Sequence, residues 1–304
     1  MSSTAEILRE EKPALPGAKI APAAPVPADE LPLTVIEPRS GWQLVDLREL
    51  WRYRELFFFL TWRDVKVRYK QTVLGAAWAV LVPLATMIVF SLFIGRAAGI
   101  AEGFTAYPYS LFVFAGLIPW TFFAFATNSG GMSVVGNQNL VTKVYFPRLI
   151  IPMSAVGAGL VDFLIAFTML LAMMLWNGIL PGWGFLWVPV ITLITLAAAL
   201  GVGTLLAALT VAYRDFRHAV PFMVQLWMWS TPSIYLPATK LGPVSGWIMP
   251  LNPAYGLIEN FRLAMLNEPL QWYSLGVSSA VSVVLLLAGC LYFRRVERSF
   301  ADII

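Results

Sequence analysis

Groups able to do chemistry are scarce in this chain of 304 residues, and they fall in a few places. Arg63, Lys66, Arg68 and Lys70 stand close together, immediately before an uncharged run from Leu74 to Ile94. Cations so placed attract anionic headgroups, at about 1 kcal/mol each beside an anionic leaflet. Asn137-Gln138-Asn139-Leu140-Val141-Thr142-Lys143 makes a short polar segment between two long apolar stretches. Asp162 is the sole ionisable side chain within the long apolar stretches. A carboxyl in hydrocarbon is costly and marks function by default. The plainer reading is a carboxyl facing its own bundle and bonded to a hydroxyl on another helix, no cation being at hand in those stretches. Glu259 and Arg262, three residues apart, could pair on one helix face.

Several chemistries are excluded. No G-x-x-x-x-G-K-[ST] loop is present, so the usual backbone cradle for ATP phosphates is missing. If ATP drives this protein, it binds with its magnesium on another polypeptide; this chain is expected to hold no cofactor or metal and to be no enzyme. No D-x-D pair offers a metal-bound sugar nucleotide a site, and His218 and Cys290 are single residues of their kinds. Proton-coupled carriers ordinarily need several embedded acids, histidines or cations, which disfavours a secondary transporter.

The elements that must position these groups follow from composition. With 59% hydrophobic and 12% charged residues and a mean hydropathy of +0.72, the chain is a polytopic membrane protein. Its net charge of +4 gives no reason to expect nucleic acid as a partner, because the cations sit at membrane edges. Six spans are expected: Leu74–Ile94, Tyr107–Thr127, Leu149–Trp176, Leu186–Ala212, Val220–Leu236 and Leu275–Phe293, in an all-α fold. The flanks on one side hold Arg63, Lys66, Arg68, Lys70, Lys143, Arg148, Arg214, Arg217, Arg294, Arg295 and Arg298. The other side holds Arg96, Lys240 and Arg262, so the first side, with both termini, is expected to be cytoplasmic.

Residues 1–40 are rich in Pro and Ala, lack the apolar core of a signal peptide, and read as a disordered cytoplasmic extension. Residues 41–304 form the transmembrane domain, closed by a cytoplasmic tail from 294. At 41–60 a helix capped by Ser40 and Gln43 sets Leu44, Leu47 and Trp51 against Asp46, Arg48, Glu49, Arg52 and Glu55. It reads as lying in the membrane interface; the alternative is a helix packed on another protein. Between spans five and six, Pro237 to Ser274 carries helical pieces too short to cross, such as Tyr255–Leu266. They read as a re-entrant segment or as a plain outer loop helix.

Particular wording adds to this. Arg63-Asp64-Val65-Lys66-Val67-Arg68-Tyr69-Lys70-Gln71-Thr72-Val73-Leu74-Gly75-Ala76-Ala77-Trp78 resembles the entry to the first membrane helix in permease subunits of type-2 ABC exporters of cell-surface polysaccharides. Lys143-Val144-Tyr145-Phe146-Pro147-Arg148 resembles the start of that family's third span. Tyr213-Arg214-Asp215, Thr231-Pro232-Ser233-Ile234-Tyr235 and Asn252-Pro253 follow in order, so the likeness runs from about residue 42 to the end. It implies the membrane half of an ATP-driven exporter in the inner membrane, working as a homodimer above two nucleotide-binding subunits. The implied cargo is a polyprenyl-diphosphate-linked polysaccharide of O-antigen or capsule type, moved outward.

On that resemblance Asn137, Gln138, Asn139, Leu140 and Lys143 belong to a coupling helix against the ATPase. Arg63, Lys66, Arg68 and Lys70 would meet the diphosphate at the cytoplasmic entrance, or serve topology alone. Glu259 and Arg262 fall in short helices that close the outer mouth. Phe222 and Trp229, seven apart on one face, are the best candidates for channel aromatics on which sugar rings stack. For any single aromatic, an interfacial belt is the competing reading. Other functions left open are an ABC permease for a small drug or ion, and an integral-membrane glycan polymerase or transferase.

Overall fold

The computed structural model describes residues 47–70, 77–97, 99–104, 106–236, 242, 245–297 and 300; the 1–40 extension and the expected cap at Ser40 and Gln43 lie outside them. Among the described residues every regular element is helical. Helix is the backbone that satisfies its own peptide groups in hydrocarbon, where water cannot. Two helices come first, α1 (Leu47–Arg52) and α2 (Arg54–Lys70). Then come α3 (Ala77–Phe90), prolonged by a wider turn over Ser91–Ala97, and α4 (Tyr109–Gly136). They are followed by the short α5 (Gln138–Lys143), α6 (Ile150–Trp176), and α7 (Val188–Ala212) behind a 3-10 turn at Trp183–Trp187. The chain continues through α8 (Phe216–Trp229), α9 (Ser245–Ile248), α10 (Pro253–Met265) and α11 (Trp272–Val296).

Five of these stretches are long and apolar enough to cross a membrane: Ala77–Ala97, Tyr109–Gly136, Ile150–Trp176, Trp183–Ala212 and Trp272–Val296. Four match expected spans closely. The expected second span, Tyr107–Thr127, continues as helix to Gly136 because its polar tail turns inward on itself. Asn128 donates to the Ala124 carbonyl, and Ser133 Oγ to that of Gly130. The expected fifth span, Val220–Leu236, is not one of the five. α8 has 14 residues, about 21 Å of rise, and stops at Trp229. Pro232 disfavours the helical region for Thr231, which takes φ −116° and ψ 74°, and a 3-10 turn over Pro232–Ile234 follows.

α4 is the central helix, buried along most of its length and packed on α6, α7, α8 and α10. Small residues let the backbones close in. A Cβ on Gly130 would stand 3.2 Å from Gly203 Cα on α7, and one on Gly289 of α11 would stand 2.1 Å from the Gly201 carbonyl oxygen. α7 and α11 run side by side in the same direction, since Trp187 and Trp272 also meet, ring centroids 5.0 Å apart.

The bundle has two distinct ends. At one, Tyr109 donates to the Tyr235 carbonyl, Tyr107 to Glu268, and Asn267 to the Leu180 carbonyl. At the other, Phe146, Leu149, Val211, Phe293 and Phe300 share one apolar cluster, with Arg148 donating to the Glu297 carbonyl. α8 leaves this second end after Tyr213, and Trp227 near its close donates to Asn252 at 2.8 Å toward the first end.

Candidate functional site

The cation cluster sits on α2, which buries only Leu60 and Val65 and leaves Phe58, Phe59 and Trp62 exposed. At 100° per residue, Lys66 and Lys70 fall within about 60° of Arg63, whereas Arg68 lies about 140° away. The structure therefore divides the four cations rather than gathering them. Lys66 and Lys70 are exposed, Lys66 standing 5.6 Å over the Trp62 ring. Arg63 bonds Asp64 at 2.8 Å and, through the same nitrogen, Asn137 Oδ1 at 2.8 Å.

Arg68 turns the other way, onto α6. Phe57, Thr61 and Arg68 form one stripe of α2, and the first two meet the Gly157 position of α6. Arg68 pairs with one Asp162 oxygen and Tyr69 donates to the other. The guanidinium also lies 3.9 Å over the Phe125 ring of α4. Burial, and then the bond to Asp162, push the Tyr69 hydroxyl up to about 12, so it keeps its proton at neutral pH. Asp162 thus has both a hydroxyl and a cation as partners. The expectation that no cation is at hand holds for the spans alone; the cation comes from the helix ahead of them. Tyr69 escaped the sequence reading.

α5 follows α4 after a break at Asn137, whose φ −119° and ψ 34° leave the helical region. Asn137 Nδ2 donates to the Ser133 carbonyl, so its oxygen is turned out to Arg63. Val141 is buried and Leu140 half-buried, pinning α5, while Gln138, Asn139, Thr142 and Lys143 are exposed. Behind it Phe146 and Pro147 are buried. Glu297, close by, is raised by burial above the ordinary carboxylate range, against the lowering pull of Arg294 and Arg148.

At the far end, α10 begins on Asn252, whose side chain accepts from Ala254 N at 3.1 Å, with Pro253 at the first helical position. Every residue of α10 is buried, Glu259, Asn260 and Arg262 included. Among the described residues no ion pair joins Glu259 to Arg262, contrary to their spacing. Arg262 instead donates to the Ser233 carbonyl and lies 3.8 Å over the Phe112 ring. Asn260 donates to Ser274 Oγ at 2.9 Å and accepts from Gln271 N at 2.8 Å. Arg262 thereby fastens the turn after α8, and Asn260 the start of α11.

Phe222 and Trp229 are 64% and 52% exposed, so both point out of the single chain rather than into its core. Trp229 meets Phe90 of α3 and Tyr235 edge-on, at 6.0 and 6.1 Å between centroids. Trp227, between them, faces inward against Phe123.

Comparison with known proteins matches residues 55–266 to the family described as ABC-2 type transporter. The chain is 31% identical over 258 residues to the O-antigen export system permease protein RfbA of Myxococcus xanthus, covering 84% of this chain and 98% of that protein. It is 27% identical over 253 residues to the O-antigen export system permease protein RfbA of Klebsiella pneumoniae, covering 82% and 95%. The matched stretch contains α5, Asp162 and α10, and nearly all of α2.

Proposed function

The chain belongs to the ABC-2 type transporter family, and we propose that two copies of it form one channel through which ATP hydrolysed on two partner subunits drives a glycan outward. It is the membrane-spanning permease of an exporter of an O-antigen-like polysaccharide. The cargo is a polyprenyl-diphosphate-linked glycan in the inner membrane. The match over residues 55–266 is the observation that carries the reading. In the same stretch, α5 offers exposed Gln138, Asn139, Thr142 and Lys143 at the end of the bundle that gathers the cytoplasmic-side cations.

The same geometry supports the finer parts of the proposal. The chain crosses six times, with α8 and the turn after it as the fifth crossing, because α8 starts at one end of the bundle and delivers Tyr235 to the other. Both termini are then cytoplasmic. α1 and α2 form the interface element, with Phe58, Phe59 and Trp62 toward lipid. α9 and α10 form the outer re-entrant segment, fastened by Arg262 and Asn260. Lys66 and Lys70, exposed on α2, are the cations left to meet the diphosphate. Phe222 and Trp229, turned outward on α8, are the surfaces on which sugar rings stack. ATP and its magnesium bind the partner subunits.

The test is reconstitution. Cysteines at Gln138 and Asn139, with Cys290 replaced, should crosslink to the ATPase partner, and lipid-linked glycan should cross proteoliposomes only when both polypeptides and ATP are present. Movement of a small drug or ion with no movement of glycan would refute the cargo assignment.

A further inference from the structure

α2 is tied to the rest of the protein at two points. The first is Arg63, bonded to Asn137 at the break between α4 and α5. The second is Arg68 with Tyr69, which together hold both oxygens of Asp162, near the middle of α6. The ties are about 7.5 Å apart along α2 and about 140° apart around it. Ahead of both ties, Phe57 and Thr61 meet the Gly157 position of α6, where no side chain of α6 stands in the way. α4, by contrast, is enclosed by neighbours on most sides. α2 buries Leu60 and Val65 alone, so it is less enclosed than α4.

Asn137 is where such a shift would start. Its backbone leaves the helical region, so a tilt of α5 is taken up there, and its side-chain oxygen already bonds Arg63. Asp162 is where the shift would end. In a low-dielectric setting a carboxylate held by a guanidinium and a phenol follows them, since losing both partners would strand a charge.

We propose that α2 is a strut that carries displacement of α5 to the middle of α6, with Arg63 and Asn137 as its input joint and Arg68, Tyr69 and Asp162 as its output joint. This rests on the reading of α5 as the ATPase contact. Asp162 and Asn137 are then positioning residues, and Arg63 and Arg68 serve the drive rather than the cargo's diphosphate.

The experiment uses the full permease with its ATPase partner in proteoliposomes, scoring glycan translocated per ATP hydrolysed. Asp162→Asn and Asn137→Ala should each lower that ratio about tenfold while complex assembly and ATP turnover persist. Because the joints act in series, the double variant should be no worse than the worse single one. The swap Arg68→Asp with Asp162→Arg should recover most of the ratio. Should Asp162→Asn fail to assemble, Tyr69→Phe decides, with a smaller drop expected in the same ratio. An unchanged ratio, or two losses that multiply, overturns the strut. Crosslinking of α5 to the ATPase separates the two readings. If crosslinks form and the ratio is unmoved, the strut alone falls; if they fail, the coupling reading falls and takes the strut with it.

Discussion

Gly289→Ala should disrupt the α7–α11 seam, and the effect can be worked from the structure. The added methyl would sit 2.1 Å from the Gly201 carbonyl oxygen, 2.7 Å from Thr204 Oγ1 and 3.0 Å from the Gly201 carbonyl carbon. Real approaches of this kind essentially never fall below 3.0 Å, so the two helices must part by about 0.9 Å or α7 must bend. The obstructing atoms are mainly backbone, which a rotamer change cannot move. Overpacking of this sort costs about 1–3 kcal/mol, and α7–α11 is among the closest helix pairs of the fold. At about 2–4 °C per kcal/mol for a chain of this size, the unfolding midpoint should fall by about 2–12 °C. Thermal unfolding of the detergent-solubilised protein, followed by tryptophan fluorescence, measures this. Gly276→Ala on the same helix is the control, because its methyl meets nothing within 4 Å; it should stay within about 0.5 kcal/mol of the parent. Gly201→Ala places its methyl 2.5 Å from Leu286 N and should destabilise similarly. The double variant should cost less than the sum, since one parting of the helices relieves both clashes. Equal midpoints for Gly289→Ala and Gly276→Ala would refute the close approach.

Purified permease should show no ATP turnover until its partner subunit is added; turnover surviving every contaminant control would overturn the division of labour. Replacing both Phe222 and Trp229 with Ala should impair export at normal expression and basal ATPase, each ring contributing about 1–3 kcal/mol to cargo binding, by analogy with bases stacked on aromatics; normal surface glycan would return them to the lipid-facing belt. Arg262→Met should destabilise by about 1–3 kcal/mol, leaving the buried Ser233 carbonyl without its partner; a midpoint unchanged in thermal unfolding would show that the guanidinium fastens nothing. Burial raises Glu297, so the folded state holds that proton more tightly than the unfolded chain. Its stabilising share is therefore full below the ordinary value of 4.5 and is lost as pH rises through the raised one. Glu297→Gln should flatten the decline in unfolding midpoint above pH 4.5, and an unaltered slope would count against this assignment.

The family was legible early because short motifs kept their order along the chain, from the Arg63–Trp78 stretch to Asn252-Pro253. α5 was legible too, being a polar interruption between apolar stretches and carrying its own signal. Less legible were the partners of individual side chains and the place where a helix breaks. Glu259 and Arg262 share a spacing that allows an ion pair, yet α10 is buried on every side and Arg262 turns to the Ser233 carbonyl. The four cations of α2 read as one cluster along the chain, but helical phase turns Arg68 about 140° from Arg63. The fifth span read as one apolar run, whereas Pro232 acts on the conformation of Thr231 and ends α8 early.

Sequence alone determined that this protein lives in a bilayer, where most of its long helices lie and which flanks carry the cations. Those properties are local: length, hydropathy, flanking charge and the presence or absence of a motif are set within a few residues. The tertiary structure decided which residue answers Asp162, how Arg63 comes to bridge α2 to the break before α5, and why Arg262 and Asn260 are buried. Those are pairings between distant segments, Arg68 and Asp162 being 94 residues apart. Which partner a charge finds in a low-dielectric interior depends on where packing puts it, and no spacing along the chain encodes that.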